Sequence, residues 1–236
     1  MITINYHGGL GNFMFMYAAA HLLSIKHKMP IKENPNGYPK YPVNINTDVL
    51  YRTFDTDLIV KTEDFLDCFN KQEINQNLIL DGYFQKKKII NCYGDKIRKC
   101  FHTNQEPIDG TIIHYRLGDL LHLYNGEAVT KLKYFDRCLE QIKDKSNIYI
   151  TTDSPDHDNI KYLQDKYNVQ LVNIKRVPTI MYASRFKNKI LSLGTFSWWI
   201  AYLGYQGNIY CPINTEYIDW AGEIYTFDNW KYISSC

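Results

Sequence analysis

The sequence has no long run of charge of one sign. Its formal charge is +2 and its longest basic stretch is Lys86-Lys87-Lys88, too little for the basic face that a nucleic-acid partner requires. Paired cysteines are absent as well. Cys68, Cys92, Cys100, Cys138, Cys211 and Cys236 form no C-x-x-C pair and no even framework, which predicts scattered reduced thiols and a cytoplasmic protein. Low-complexity tracts are missing, and with 45% hydrophobic against 22% charged residues the whole chain is expected to fold. The start lacks a basic n-region and a small-residue cleavage site, so no secretory signal is expected. Residues 8–25 approach the length of a membrane span, but Asn12, His21 and the glycine-rich start make this a buried helix. No transmembrane segment is expected, and peripheral membrane contact is left open. Without a G-x-S-x-G, and without a cysteine and histidine at a family-like spacing, a nucleophilic triad finds no support.

What is present is a succession of strands and helices. "MITINY" alternates as a strand and runs into the glycine turn of "GGLGNFMFMYAAAHLL", with a helix expected over residues 13–28. Residues 30–60 read as irregular with short strands, 78–84 as a strand and 86–101 as one helix. A polar linker is expected over 102–110. Beyond it, strands at 111–116, 147–152, 169–173, 188–193 and 208–211 alternate with helices at 131–143, 156–167, 178–186 and 195–203. That alternation calls for a parallel sheet with right-handed crossovers, whose ligands sit at the carboxyl ends of its strands.

Candidate site residues follow the strands. The opening turn lacks GK[ST], and Met14 stands where G-x-G-x-x-G needs its third glycine, so neither common phosphate motif applies. Gly9 and Gly11 still allow close approach to the backbone, and Asn12 supplies an amide near a helix N-terminus. Equally, Gly8, Gly9 and Gly11 would only shape a tight turn with Asn12 as its cap. In "HYRLGD", Arg116 is able to fork two N–H groups onto a diphosphate, with His114 on the same strand face. The plainer alternative is an Arg116–Asp119 ion pair with His114 packed beside it. A metal site of His114, Asp119 and His122 matches no standard spacing.

In "TTDSPDHD", Asp156 and Asp158 spell the D-x-D by which some nucleotide-sugar enzymes hold a divalent cation. More simply they are carboxylates at a helix start after Ser154-Pro155, and Asp153 is the better candidate for a base edge. "LGTFSWW" places Thr195 and Ser197 at a helix start suited to phosphate oxygens. Thr195 also reads as an N-cap, with Phe196, Trp198 and Trp199 in the core.

Taken in order, these segments resemble the α-1,2-fucosyltransferases of glycosyltransferase family 11. The family's G-G-L-G-N-Q-M-F-Q-Y-A is matched over residues 8–18, with Phe13 and Met16 in place of its glutamines. Its H-x-R-R-x-D is matched by His114, Arg116 and Asp119, with Leu117 for the second arginine. Its N-S-T-F-S-W-W is matched over residues 195–199, with Leu193 and Gly194 for Asn-Ser. The resemblance implies an α/β fold of GT-B type, two facing Rossmann-like lobes with parallel sheets. Residues 1–105 would form an acceptor-side lobe and residues 106–236 a nucleotide-sugar lobe.

It further implies an inverting transfer of L-fucose from GDP-β-L-fucose to a hydroxyl of a glycan acceptor, O2 of a galactose-like residue, without a metal or other cofactor. Arg116 would hold the β-phosphate and stabilise the departing GDP, His114 would position it, and Asp153 would read the guanine edge. Thr195, Phe196 and Ser197 would line the nucleotide pocket. Asn12 and the N–H groups of Gly9 and Gly11 would contact donor phosphate or acceptor. No residue stands out as a general base: Asp119 beside Arg116 reads as a structural partner. Two alternatives stay open, a transferase of the same fold with another deoxyhexose donor and a non-catalytic nucleotide- or glycan-binding module.

Overall fold

"ITI", "DLIV" and "NLIL" are short apolar runs, and in the structure, a computed structural model, they are the three strands of a first sheet. Residues 1–32, 54–101, 106–174, 176–204, 207–213, 224 and 227–234 are described. The chain divides into two units, Met1–His102 and Thr103–Cys236.

In the first unit, β1 (Ile2–Ile4), β3 (Asn77–Leu80) and β2 (Asp57–Val60) lie in that order, all parallel. Helix α1 (Leu10–His27) is apolar almost all round because it is covered on most sides: Met14, Phe15, Met16, Ala18, Ala19, Ala20 and Leu23 are all buried. It begins three residues earlier than its sequence pattern suggests. Gly8, at φ +78°, turns the chain out of β1, and Gly9 is the N-cap. Gly11 and Asn12 therefore belong to the first helical turn, and Asn12 is not the cap.

Helix α2 (Phe65–Asn70) follows β2. The single helix expected over residues 86–101 is two, α3 (Lys87–Ile90) and α4 (Gly94–Phe101), because Gly94 at φ +49° interrupts the right-handed path. Of the expected irregular segment, residues 33–53 lie outside the described residues, as do 102–105 of the expected linker.

The second unit is one six-stranded parallel sheet. Its strands are β4 (Ile108–Tyr115), β5 (Ile148–Thr152), β6 (Gln170–Leu171), β7 (Phe186–Leu191), β8 (Asn208–Ile213) and β9 (Lys231–Ser234), in the order β6-β5-β4-β7-β8-β9. β4 takes up residues 108–110 of the expected linker, with a register shift between Ile108 and Thr111. Helices α5 (Leu132–Glu140), α6 (Asp158–Tyr167), α7 (Arg176–Ser184) and α8 (Thr195–Leu203) connect the strands. Ile113, Tyr115, Leu117, Phe135, Ile150 and Leu163 are in its core. Strand β9 has no counterpart in the sequence reading: its two end residues are exposed and its two middle residues half-buried, and it is too short to stand out. Among the described residues, no helix is long and apolar enough to cross a membrane.

Candidate active site

From β4 the larger sheet grows in two directions. β5 and β6 add on one side, β7, β8 and β9 on the other. An open parallel sheet has its ligand crevice at such a switch point, beyond the carboxyl ends of the two central strands. Here those are β4 and β7, and the residues that leave them are Arg116 to Asp119 and Ser192 to Ser197, with His114 in the last pleat of β4.

Arg116 is the first residue past β4. The Ser192 N–H donates to the carbonyl of His114 (2.9 Å), and the Arg116 N–H then donates to the Ser192 hydroxyl (2.9 Å). A side chain thus carries the β4–β7 ladder one step past its last backbone bond. The guanidinium forks onto Asp119, with Nε 3.2 Å from Oδ1 and Nη2 2.8 Å from each oxygen. The two side chains are 27% and 61% exposed. A pair this wet contributes about 0–1 kcal/mol, so an incoming phosphate can displace the carboxylate at little cost while Asp119 keeps the fork extended.

His114 lies beneath this arginine, buried. Its ring stacks on Phe196 (centroids 4.9 Å apart, planes at 15°), and Nδ1 is 2.6 Å from the Ser197 hydroxyl. Burial pushes its pKa down to about 4, with Asp153 pulling it up and Arg116 down. At neutral pH the imidazole is therefore uncharged, and it orders the floor of the site without adding to its positive charge. Ser197 is wholly buried, so its hydroxyl supports His114 from behind. The Ser192 and Ser197 hydroxyls are 3.5 Å apart, which closes a chain from Arg116 through two serines to His114.

Gly194, not Thr195, is the N-cap of α8; Thr195 is the first helical residue and is buried. Gly194 has φ +130° and ψ +156°, a conformation that is essentially glycine's alone. A Cβ there would lie 3.0 Å from Arg116 Nη1, so the missing side chain is what lets the guanidinium lie against the turn. Asp153, just past β5 and exposed, accepts the Leu117 and Gly118 N–H groups on Oδ1 (2.9 and 3.0 Å). It ties the β5 exit to the Arg116 loop.

Of the acidic pair further on, Asp158 is the first residue of α6 and Asp156 precedes the helix. His157, not Ser154-Pro155, opens α6, its Nδ1 accepting the Asn159 N–H at 3.1 Å. Asp158 pairs with Lys161 at 3.2 Å. Among the described residues, no three His, Cys, Asp or Glu side chains are grouped to hold a metal ion.

In the first unit, Asn12 accepts the Gln85 side-chain N–H (3.0 Å) and packs over Gly8, where a Cβ would meet its amide nitrogen at 2.2 Å. Gly9 faces open space, whereas Gly11 is buried in the helix. Met16 is fully buried and so is a core residue, while Phe13 is half-buried against Tyr6 (centroids 5.0 Å apart).

The family model of glycosyl transferase family 11 matches residues 1–234. The chain belongs to that family. It is a glycosyltransferase, and its two parallel sheets fit the GT-B fold of family 11. No curated protein matches it in a sequence comparison. Ser192 and Gly194 are the residues of this family 11 site that sequence reasoning missed. The available signal was a serine inside an otherwise apolar strand exit, "ILSLG", which reads as core until its partner is known.

Proposed function

We propose that this family 11 enzyme transfers L-fucose from GDP-β-L-fucose to a hydroxyl of a glycan, O2 of a galactose-like residue, with inversion and without a metal. The observation that carries this reading is the Arg116 fork at the sheet's switch point, held by Ser192 and Asp119 and lying against Gly194. The second unit binds the nucleotide sugar and the first receives the acceptor. Arg116 exchanges Asp119 for the β-phosphate. As the acceptor oxygen bonds to C1 and its hydroxyl proton passes to water, the C1–O bond to phosphate breaks and its electron pair moves onto GDP, where Arg116 offsets the charge. Asp153 offers its Oδ2 to the guanine edge, and Phe196 and Thr195 line the nucleoside side. Four described cysteines, Cys68, Cys92, Cys138 and Cys211, are free thiols, which supports a cytoplasmic location.

Thermal shift with GDP, UDP and dTDP tests the donor class, followed by transfer assays with the matching sugars. At a hundredfold excess over Kd, GDP should stabilise the fold by about 2.7 kcal/mol, and GDP-fucose should label a β-galactoside. A shift with UDP or dTDP but not GDP would give the enzyme another donor. A GDP shift without transfer to any acceptor of a β-galactoside panel would make it a binding module.

A further inference from the structure

The first unit carries a second cluster that the site above does not use. β1, β3 and β2 end level with one another, Ile4 opposite Leu80 and Val60 opposite Leu80, so the residues that leave those ends converge. Asp81 and Lys61 are the first residues past β3 and β2, and His7 is three past β1. The Lys61 ammonium bonds one Asp81 carboxylate oxygen, and His7 Nε2 is 3.1 Å from the other. The side chains of His7, Asp81 and Lys61 are 46%, 28% and 48% exposed, at the edge where parallel sheets bind their ligands.

The loop that follows β3 presents an aromatic ring beside these groups. In "DGYFQ", residues 81–85, all but Tyr83 are anchored. Asp81 is held by Lys61 and His7. Gly82 lies against Thr62, where a Cβ would meet Oγ1 at 2.4 Å. The Phe84 N–H donates to the same Thr62 hydroxyl at 3.1 Å, and its buried ring meets Phe65 edge-on at 5.9 Å. Gln85 Nε2 donates to Asn12 Oδ1 at 3.0 Å. Phe84 sits at φ +55°, where a bulky residue is strained; such strain persists only where the surroundings impose it, and it gathers at ligand clamps. What the strained turn leaves outside is Tyr83, 47% exposed, with its ring edge-on to His7 at 6.3 Å.

The groups in this cluster have complementary chemistry. Lys61, and then His7, hold the Asp81 carboxyl below the usual carboxylate range, so at neutral pH it is ionised and only accepts. Each of its oxygens has one neighbour and a further lone pair, while the ammonium beside it only donates. A donor and an acceptor in direct contact match two neighbouring sugar hydroxyls, one accepting from Lys61 and one donating to Asp81. The face of the Tyr83 ring carries partial negative charge, which attracts the C–H bonds that a galactose-type ring, with its axial O4, gathers on one side. The charges of Lys61 and Asp81 cancel, which suits an uncharged sugar. We propose that Lys61, Asp81 and Tyr83, braced by His7, form a saccharide subsite of the first unit that holds one uncharged, galactose-type ring of the glycan. The proposal rests on the reading above in which the first unit receives the acceptor, and it concerns binding alone.

Titration of the full chain with lactose, followed by 1H–15N NMR without nucleotide, tests the subsite. Shifts should centre on the amides of Lys61, Asp81 and Tyr83, assigned from their variants; shifts confined to other residues, or none, overturn it. Tyr83→Ala removes an exposed ring and should fold as the wild type does. It is expected to weaken lactose binding about 2- to 10-fold, and Asp81→Asn about 10- to 100-fold. Each should raise the KM for the acceptor rather than lower kcat, with the thermal shift on GDP unchanged. Tyr83→Phe keeps the ring and should restore most of the affinity. Wild-type lactose affinity in Tyr83→Ala overturns the proposal. Shifts at these residues without transfer of fucose to any acceptor would uphold the subsite and overturn the reading of the reaction instead.

Discussion

The carboxyl edges of the two sheets each carry a histidine and an aspartate beside a cation, and they behave oppositely. At the edge of the three-stranded sheet, a histidine, an aspartate and a lysine stand exposed in one ion-paired cluster. At the edge of the six-stranded sheet, a histidine and two serines are buried in one hydrogen-bonded chain, while Arg116, Asp119 and Asp153 reach water. Exposure leaves the first cluster's charges screened by solvent. Burial fixes geometry and charge in advance, which is what stabilising a leaving diphosphate requires. One edge is thus a solvated ion cluster and the other is suited to holding an anion still.

The comparison breaks most sharply at Arg116. Arg116→Ala should lower kcat for transfer by about 10²- to 10³-fold, the loss typical for one preorganised charge-stabilising group, and should abolish most of the thermal shift with GDP. Alanine keeps the backbone N–H that bonds Ser192, and the Asp119 pair is largely exposed, so folding stability should change by less than about 1 kcal/mol. A variant with wild-type transfer and nucleotide binding would remove the anion-holding role from this edge.

The buried histidine gives the next largest effect, in stability rather than rate. Burial lowers its folded pKa from the ordinary histidine value of 6.5 to about 4. Between those values the unfolded chain binds a proton that the folded chain does not, so the folded state is favoured fully above pH 6.5 and loses ground as pH falls towards 4. The loss should total about 3 kcal/mol. Denaturant midpoints across pH 7 to 4 should fall more steeply for the wild type than for His114→Gln, and parallel slopes would show that the ring is not held neutral by burial.

How far the sequence reaches follows the range of the interaction. The Arg116–Asp119 pair is three residues apart and was readable. Helix α8 was readable too, since its bounds, Thr195–Leu203, fall where an apolar run follows a Gly-Thr start. Two contacts that organise the sites are not local: Ser192 meets Arg116 across 76 positions and Asp81 meets His7 across 74. Neither follows from composition or period, because each depends on which strands become neighbours. The order β6-β5-β4-β7-β8-β9 was likewise beyond a reading of alternating elements, and it is what makes the ends of β4 and β7 the switch point. Local errors have local causes. Gly94 splits a helix whose apolar spacing runs on unbroken, and Gly8 starts α1 before its apolar face begins.

The smallest predicted effect compares the two glycines that open α1 and α8. Both are N-caps without a side-chain cap bond, so the pattern treats them alike. Gly194 sits at φ +130°, and a Cβ would press on Arg116 Nη1 at 3.0 Å; Gly9 sits at φ −94° in extended backbone, with no atom within 4 Å of a Cβ. Gly194→Ala should therefore cost about 1–3 kcal/mol from backbone strain and also lower transfer, because the guanidinium must move aside. Gly9→Ala should stay within about 0.5 kcal/mol of the wild type, as read from thermal or denaturant unfolding. Any loss of transfer in Gly9→Ala would then come from the space in front of it, since nothing in the fold of the first unit needs that position empty.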